Sequence, residues 1–172
     1  LLERSLDTTR YEAAVAWSGA ATFTETAPHT FRIGAAAGES ALEFSVAYAP
    51  DNAPAESPGL METREASARH WETFWRSGAT IDFAGSTDPR AHELERRVVL
   101  SQYLTAQQFG GDFPPQETGL TSNSWYGKHH TEMVWWHTAH FALWGRDGHL
   151  VKTLRWYQGA LPIARNVAAS RG

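Results

Sequence analysis

The chain has 172 residues, 42% of them apolar and 20% charged, with a net charge of −4, eight tryptophans and no cysteine. That composition supports one medium core or two small ones, and the lack of a basic block or a Lys/Arg-rich amphipathic stripe argues against a nucleic-acid partner or a membrane surface. Without cysteine there is no disulfide framework or thiolate metal site, no segment reaches the ~20 apolar residues of a membrane span, and LLERSLDTTR lacks the basic start and apolar run of a signal peptide.

From residue 1 to 50 the pattern is that of strands. YEAAVAWSG (11–19), ATFTET (21–26), HTFRIGA (29–35) and ALEFSVAYAP (41–50) carry alternating, β-branched or aromatic runs separated by Gly, Pro and small polar residues. In the last of these, Leu42, Phe44, Val46 and Tyr48 fall on one face at period two. The expectation is part of an antiparallel β-sandwich with a structural role. DNAPAESPG (51–59) follows as a proline-containing connector. METREASARHWETFWRSG (61–78) then reads as a linker helix with His70, Trp71, Phe74 and Trp75 along one edge, docking between two domains, and Gly78 as its stop. This sets boundaries at 1–50, 51–85 and 86–172.

STDPRAHELERRVVLSQYLTAQQFGG (86–111) carries helix signals at both ends: Asp88 suits the N-cap, Pro89 the first turn, and Gly110-Gly111 the stop. Its apolar residues from Val98 to Ala106 cover nearly the whole circumference, which predicts a helix surrounded by other helices. The loop FPPQETGLTSNSWYG (113–127) is long enough to suggest function. A helix is expected from His129 to Trp144, then a turn at 145–148, then helix from His149 to about Ala169 with a break near Gly159 to Pro162. The succession is one of helical hairpins.

Between Trp125 and Trp144 stand four tryptophans and four histidines. A helix from 129 would bring His130, Met133, His137, His140 and Trp144 within about 80° of one another. Three readings compete. A metal site is disfavoured because HExxH is absent and ligands at i and i+7 stand ~10 Å apart along a helix axis. Packing accounts for single residues, but four histidines would bring many polar atoms into a core that could be apolar at lower cost. A sugar site accounts for the cluster: pyranose rings offer C–H faces to indoles and a rim of hydroxyls to His, Glu, Lys, Gln and Asn.

PPQETGLTSNSWYGKHHTEMVWWHTAHFALWGR (114–146), followed by LRWYQGALPIARNVAASRG (154–172), resembles six-hairpin glycosidases, helical (α/α)6-barrel enzymes related to glycoside hydrolase family 65. Gly119-Leu120-Thr121 with Tyr126-Gly127, Thr131-Glu132, and RWYQGALPIARNVAASRG (155–172), similar to the family's Tyr…Leu-Pro-x-Ala-Arg…Gly helix, carry the resemblance. HWETFWRSGATIDF and DPRAHELERRVVLSQYL are similar to the family's linker helix and first barrel helix. The resemblance implies an α+β chain made of a portion of an N-terminal antiparallel β-sandwich, a linker helix and the first helices of the barrel. Closing twelve helices takes something over ~250 residues, so Leu1 and Gly172 read as cuts through a longer chain. One departure stands out: where family 65 has a Trp-Asp pair before Thr-Glu, this chain has His129-His130, so the resemblance leaves open the family's usual α-glucoside and a different sugar or linkage.

The implied function is inverting glycoside hydrolysis on an oligosaccharide or glycoside, with the general acid beyond residue 172 and no metal or cofactor. The alternatives are a phosphorylase on the same barrel and a non-catalytic carbohydrate-binding or structural helical module. Trp125 is the stacking platform, and Gln116, Glu117, Lys128, His129, His130 and Glu132 are the hydroxyl ligands. His137 and His140 are either ligands or internal hydrogen-bond partners, while Trp135, Trp136 and Arg146 read as packing and helix-end groups. Compartment, oligomeric state and the sugar itself stay open.

Overall fold

The computed structural model describes residues 1–50 and 57–172. The fold is mixed α+β, with five strands, β1 (Leu2–Leu6), β2 (Thr9–Ser18), β3 (Ala21–Ala27), β4 (Thr30–Ala35) and β5 (Glu43–Ala49), and four α-helices, α1 (Leu60–Arg76), α2 (Ala91–Phe109), α3 (His140–Leu143) and α4 (Asp147–Arg171), among the described residues. The chain divides into two compact units, 1–72 and 73–172, with the division inside α1. Most of the 51–59 connector falls outside the described residues.

In the first unit β1, β2 and β5 form one antiparallel sheet and β3 and β4 a second. The register places Val15 opposite Val46, Trp17 opposite Phe44 and Ala13 opposite Tyr48, so the alternation seen in ALEFSVAYA becomes one apolar sheet face. Trp17 stacks on Phe23 of the second sheet with ring centroids 5.6 Å apart, and Phe23 on Phe31 at the same distance. The faces enclose a cleft of about 320 Å³, in which Phe44, Val46 and Tyr48 remain exposed. The opposite face carries Ala14, Ala16, Ser45 and Ala47, and there Ser45 Oγ lies 3.0 Å from Ser57 Oγ. Strand β1 has no counterpart in the sequence reading: LERSL alternates over too short a span, and its charged residues suit an edge strand rather than a core one.

The second unit departs from expectation in four places. Helix α2 begins at Ala91 rather than at Pro89, but Asp88 still organises the entry, its Oδ1 accepting the Arg90 N–H at 2.8 Å. That helix is not enclosed. Gln102 and Ala106 are buried, whereas Leu94, Leu100 and Leu104 are exposed, because the segments packed on it within the unit cover one side only. The expected break near Pro162 is absent. Helix α4 runs through it, because the carbonyl left without a donor belongs to Gln158, which is exposed and can be hydrated. Finally, Gly78 follows the end of α1 at Arg76 as expected, but without the left-handed φ of a glycine cap. A Cβ there would stand 2.5 Å from the Trp144 carbonyl oxygen and 2.7 Å from Arg146 Cγ, so glycine is required for close approach.

Arg146 lies at the centre of this packing. It is 4% exposed, and its Nε donates to the Phe74 carbonyl at 2.9 Å, its Nη1 to the Ala79 carbonyl at 2.9 Å and to Gln102 Oε1 at 2.7 Å. The guanidinium carbon also stands 4.2 Å from the Phe74 ring centroid. It is therefore a buried hub as well as a helix-end group, standing at the N-cap position of α4, and desolvation pulls its pKa below the usual arginine value.

Candidate functional site

The segment expected to be one helix from His129 to Trp144 is helical from 131 to 143, in an unbroken run of three different windings. Lys128 and His130 are extended, residues Thr131–Met133 make a 3-10 turn, Trp135–Ala139 a π-helical turn and His140–Leu143 the short α3. The single helical face that would have gathered His130, Met133, His137, His140 and Trp144 does not exist. Gly127 with φ 70° and the extended backbone of Lys128 and His130 delay the helix, and the π turn changes the angular position of α3 relative to the 3-10 turn.

The histidines converge by another route: three of them grip residues 115 to 117. His129 Nδ1 is 3.0 Å from the Pro115 carbonyl oxygen and so carries a proton to donate; its Nε2 accepts from the Tyr157 hydroxyl at 2.6 Å. His137 Nε2 donates to the Glu117 carbonyl at 2.9 Å, with the ring stacked on Phe109 at 4.0 Å and 11°. The third contact is to the side chain. His130 Nδ1 stands 3.1 Å from Glu117 Oε2, out of line for a directed hydrogen bond, so the contact is one of proximity.

Burial holds His137 toward its neutral form. Desolvation lowers its pKa below the ordinary histidine value, and nearby His129 adds to this, while the bond to the Glu117 carbonyl opposes it. His140, whose Nε2 donates to the His137 carbonyl at 3.2 Å, is likewise shifted down by desolvation. Both are thus internal partners. Tyr157, the donor to His129, is raised by desolvation. It lies 28 residues from its partner, and the sequence motif that contains it gives no sign of that bond.

The candidate ligands divide accordingly. Glu117 and His130 are together, with about a third of each side chain exposed, and Trp125 meets the His130 ring edge-on at 5.9 Å. Gln116 Oε1 and Asn123 Oδ1 lie 3.6 and 3.4 Å from where a Cβ on Gly127 would stand. Lys128 is exposed beside them, its Nζ 5.9 Å from the Tyr126 ring centroid. His129 differs, because both its ring nitrogens are already engaged within the fold. Glu132 sits exposed on the 3-10 turn. Trp135 and Trp136, expected to be packing groups, are 70% and 67% exposed, because the π turn carries them outward while His137 and Thr138 are buried.

The GLTSNSWYG loop holds its own shape. Thr118 Oγ1 donates to the Ser122 carbonyl, Thr121 Oγ1 to the Thr118 carbonyl at 3.1 Å, and Gln108 Oε1 accepts the Leu120 N–H. Gly119, at φ 68°, could not take a side chain, since a Cβ would lie 2.8 Å from that Gln108 oxygen. At the end of the loop, Trp125, Tyr126 and Gly127 are all left-handed, with φ of 48°, 59° and 70°. A separate cleft of about 360 Å³ opens between α2 and the π turn, lined among others by Gln102, Thr105, Trp136, His140 and Trp144.

No group of three or more His, Asp or Glu side chains suited to hold a metal ion occurs among the described residues, and no helix there is long and apolar enough to cross a membrane. Comparison with protein-family models, with curated proteins and with solved structures finds no match in any of the three.

Proposed function

We propose that the chain belongs to a carbohydrate-active enzyme, an inverting glycoside hydrolase of the six-hairpin (α/α)6-barrel type related to family 65. Residues 1–50 would be part of its β-sandwich, 51–85 a linker with a helix, and 86–172 the opening of the catalytic barrel. The observation that carries this reading is the shelf formed by Trp125, Glu117 and His130, held from beneath by His129 and His137. It places an exposed indole beside a carboxylate and an imidazole, which is the chemistry a sugar's C–H face and hydroxyl rim require. Gln116 and Lys128 extend the polar rim, and Glu132 belongs to the same mouth in the complete barrel.

Inversion needs two carboxyl groups about 6.5–9.5 Å apart, one of them an acid and the other activating water. In this proposal Glu117 binds hydroxyls rather than donating the proton, and the general acid comes from beyond residue 172. The test is calorimetric titration of the complete protein with a panel of methyl pyranosides and disaccharides, together with measurement of sugar release in the presence and absence of inorganic phosphate. Phosphate-independent release with inverted product supports the reading. Release only with phosphate makes the protein a phosphorylase, binding without release makes it a carbohydrate-binding module, and no binding at all removes saccharides from consideration.

A further inference from the structure

The left-handed turn carries a second exposed aromatic residue, Tyr126, next to Trp125 in sequence. Non-glycine residues at positive φ cost about 1–3 kcal/mol each, and such turns ordinarily employ Gly or Asn to avoid it. Here two aromatic residues in succession take that conformation, closed by the Gly127 N–H donating to the Ser124 carbonyl at 2.9 Å and the Lys128 N–H to the Trp125 carbonyl at 3.2 Å. Burial does not offset the cost. Tyr126 is 91% exposed and Trp125 63%. A covering apolar segment of protein would meet charge at the rim, because Lys128 Nζ stands over the Tyr126 ring and the carboxylate of Glu117 lies beside His130, which itself abuts Trp125. Exposed rings bordered by a cation, a carboxylate and carboxamides suit a ligand that is apolar on its faces and hydroxylated at its edges.

Resting on the proposed saccharide function, we infer that Tyr126 is a second stacking platform adjoining Trp125, and that the ligand spans at least two sugar units. One unit lies on Trp125 beside Glu117 and His130, and the next lies on Tyr126, with Lys128 donating to its hydroxyls. Tyr126 is then a specificity residue: it selects longer saccharides and contributes little to the unit on Trp125.

The experiment compares the complete protein with its Tyr126→Asn and Tyr126→Phe variants in calorimetric titrations with methyl pyranosides and the corresponding disaccharides. Asn tolerates the left-handed conformation and removes the ring, and Tyr126→Gly, which takes positive φ freely, serves as a second ringless variant. The expected result is a loss of about tenfold in disaccharide affinity for both ringless variants, a change within about twofold for the monosaccharide, and recovery in Tyr126→Phe. Equal losses for both ligands, or no loss for either, overturn the inference and leave the role of Trp125 standing if Trp125→Ala still weakens binding. A parent protein that binds no saccharide overturns both together.

Discussion

His137 Nε2 donates to the carbonyl oxygen of Glu117 at 2.9 Å while the imidazole lies flat on Phe109. One buried ring thereby fixes the backbone of the residue whose carboxylate faces His130. Replacing it removes a hydrogen bond and a stacked ring at once. His137→Ala is expected to destabilise the second unit by about 2–3 kcal/mol and to raise hydrogen exchange across residues 115–119. Urea denaturation and exchange mass spectrometry measure the two effects; unchanged protection of Glu117 would show that the bond does not hold the loop.

The same histidine predicts a dependence on pH. His137 and His140 have folded pKa values below the ordinary histidine value of 6.5, chiefly through desolvation. The unfolded chain therefore binds protons that the folded chain does not, and stability falls as pH drops below about 6.5 toward the folded values. Above that pH these groups impose no penalty. Melting temperature should decline from pH 7.5 to 5.5, and the part of the decline due to His137 should vanish in His137→Phe, which keeps the ring contact with Phe109.

Tyr157→Phe removes only the hydroxyl that donates to His129 Nε2. It leaves a partly buried acceptor unsatisfied, at a cost of about 1–2 kcal/mol. The fold should survive, with the His129 ring less ordered. Imidazole NMR signals provide the readout, and an unperturbed His129 signal would count against the assigned bond.

Gly78→Ala puts a Cβ 2.5 Å from the Trp144 carbonyl oxygen and 2.7 Å from Arg146 Cγ. Backbone and a buried guanidinium must both shift, so a loss of about 1–3 kcal/mol is expected, against a few tenths for Gly59→Ala, where the added methyl meets nothing. Equal effects of the two in thermal denaturation would contradict the packing described at Gly78.

Trp125→Ala should lower saccharide affinity by about tenfold without changing the melting temperature beyond a degree or two, because the ring is exposed and meets the His130 ring only edge-on. Titration and calorimetry on the same samples separate the two quantities. A large fall in melting temperature would make Trp125 a packing residue.

The parts of this architecture legible from sequence are those with a local period. Strands β2 to β5 follow from alternation and α2 from its capping residues, with ends displaced by at most two residues. Strand β1 escapes because five residues with charges at two of them do not form a pattern that can be distinguished from a loop. The site is legible as a composition but not as a geometry. Sequence spacing puts His130, His137 and His140 on one helical face, whereas the convergence of His129, His130 and His137 comes from an extended stretch, a π turn and a tyrosine on α4. Arg146 is legible as a packing and helix-end group but not as a hydrogen-bonding hub, because its partners, two carbonyls and a glutamine side chain, leave no charge pattern there.

Arg146 reaches residues 72, 67 and 44 positions away along the chain. Closing loops of that length costs entropy before any of its bonds can form, so this centre assembles late on the way to the native state. Interactions absent from the folding transition state govern the escape rate instead. Loss of Arg146 should accordingly quicken unfolding while leaving refolding nearly as fast, which makes one guanidinium the latch on the lifetime of residues 73–172.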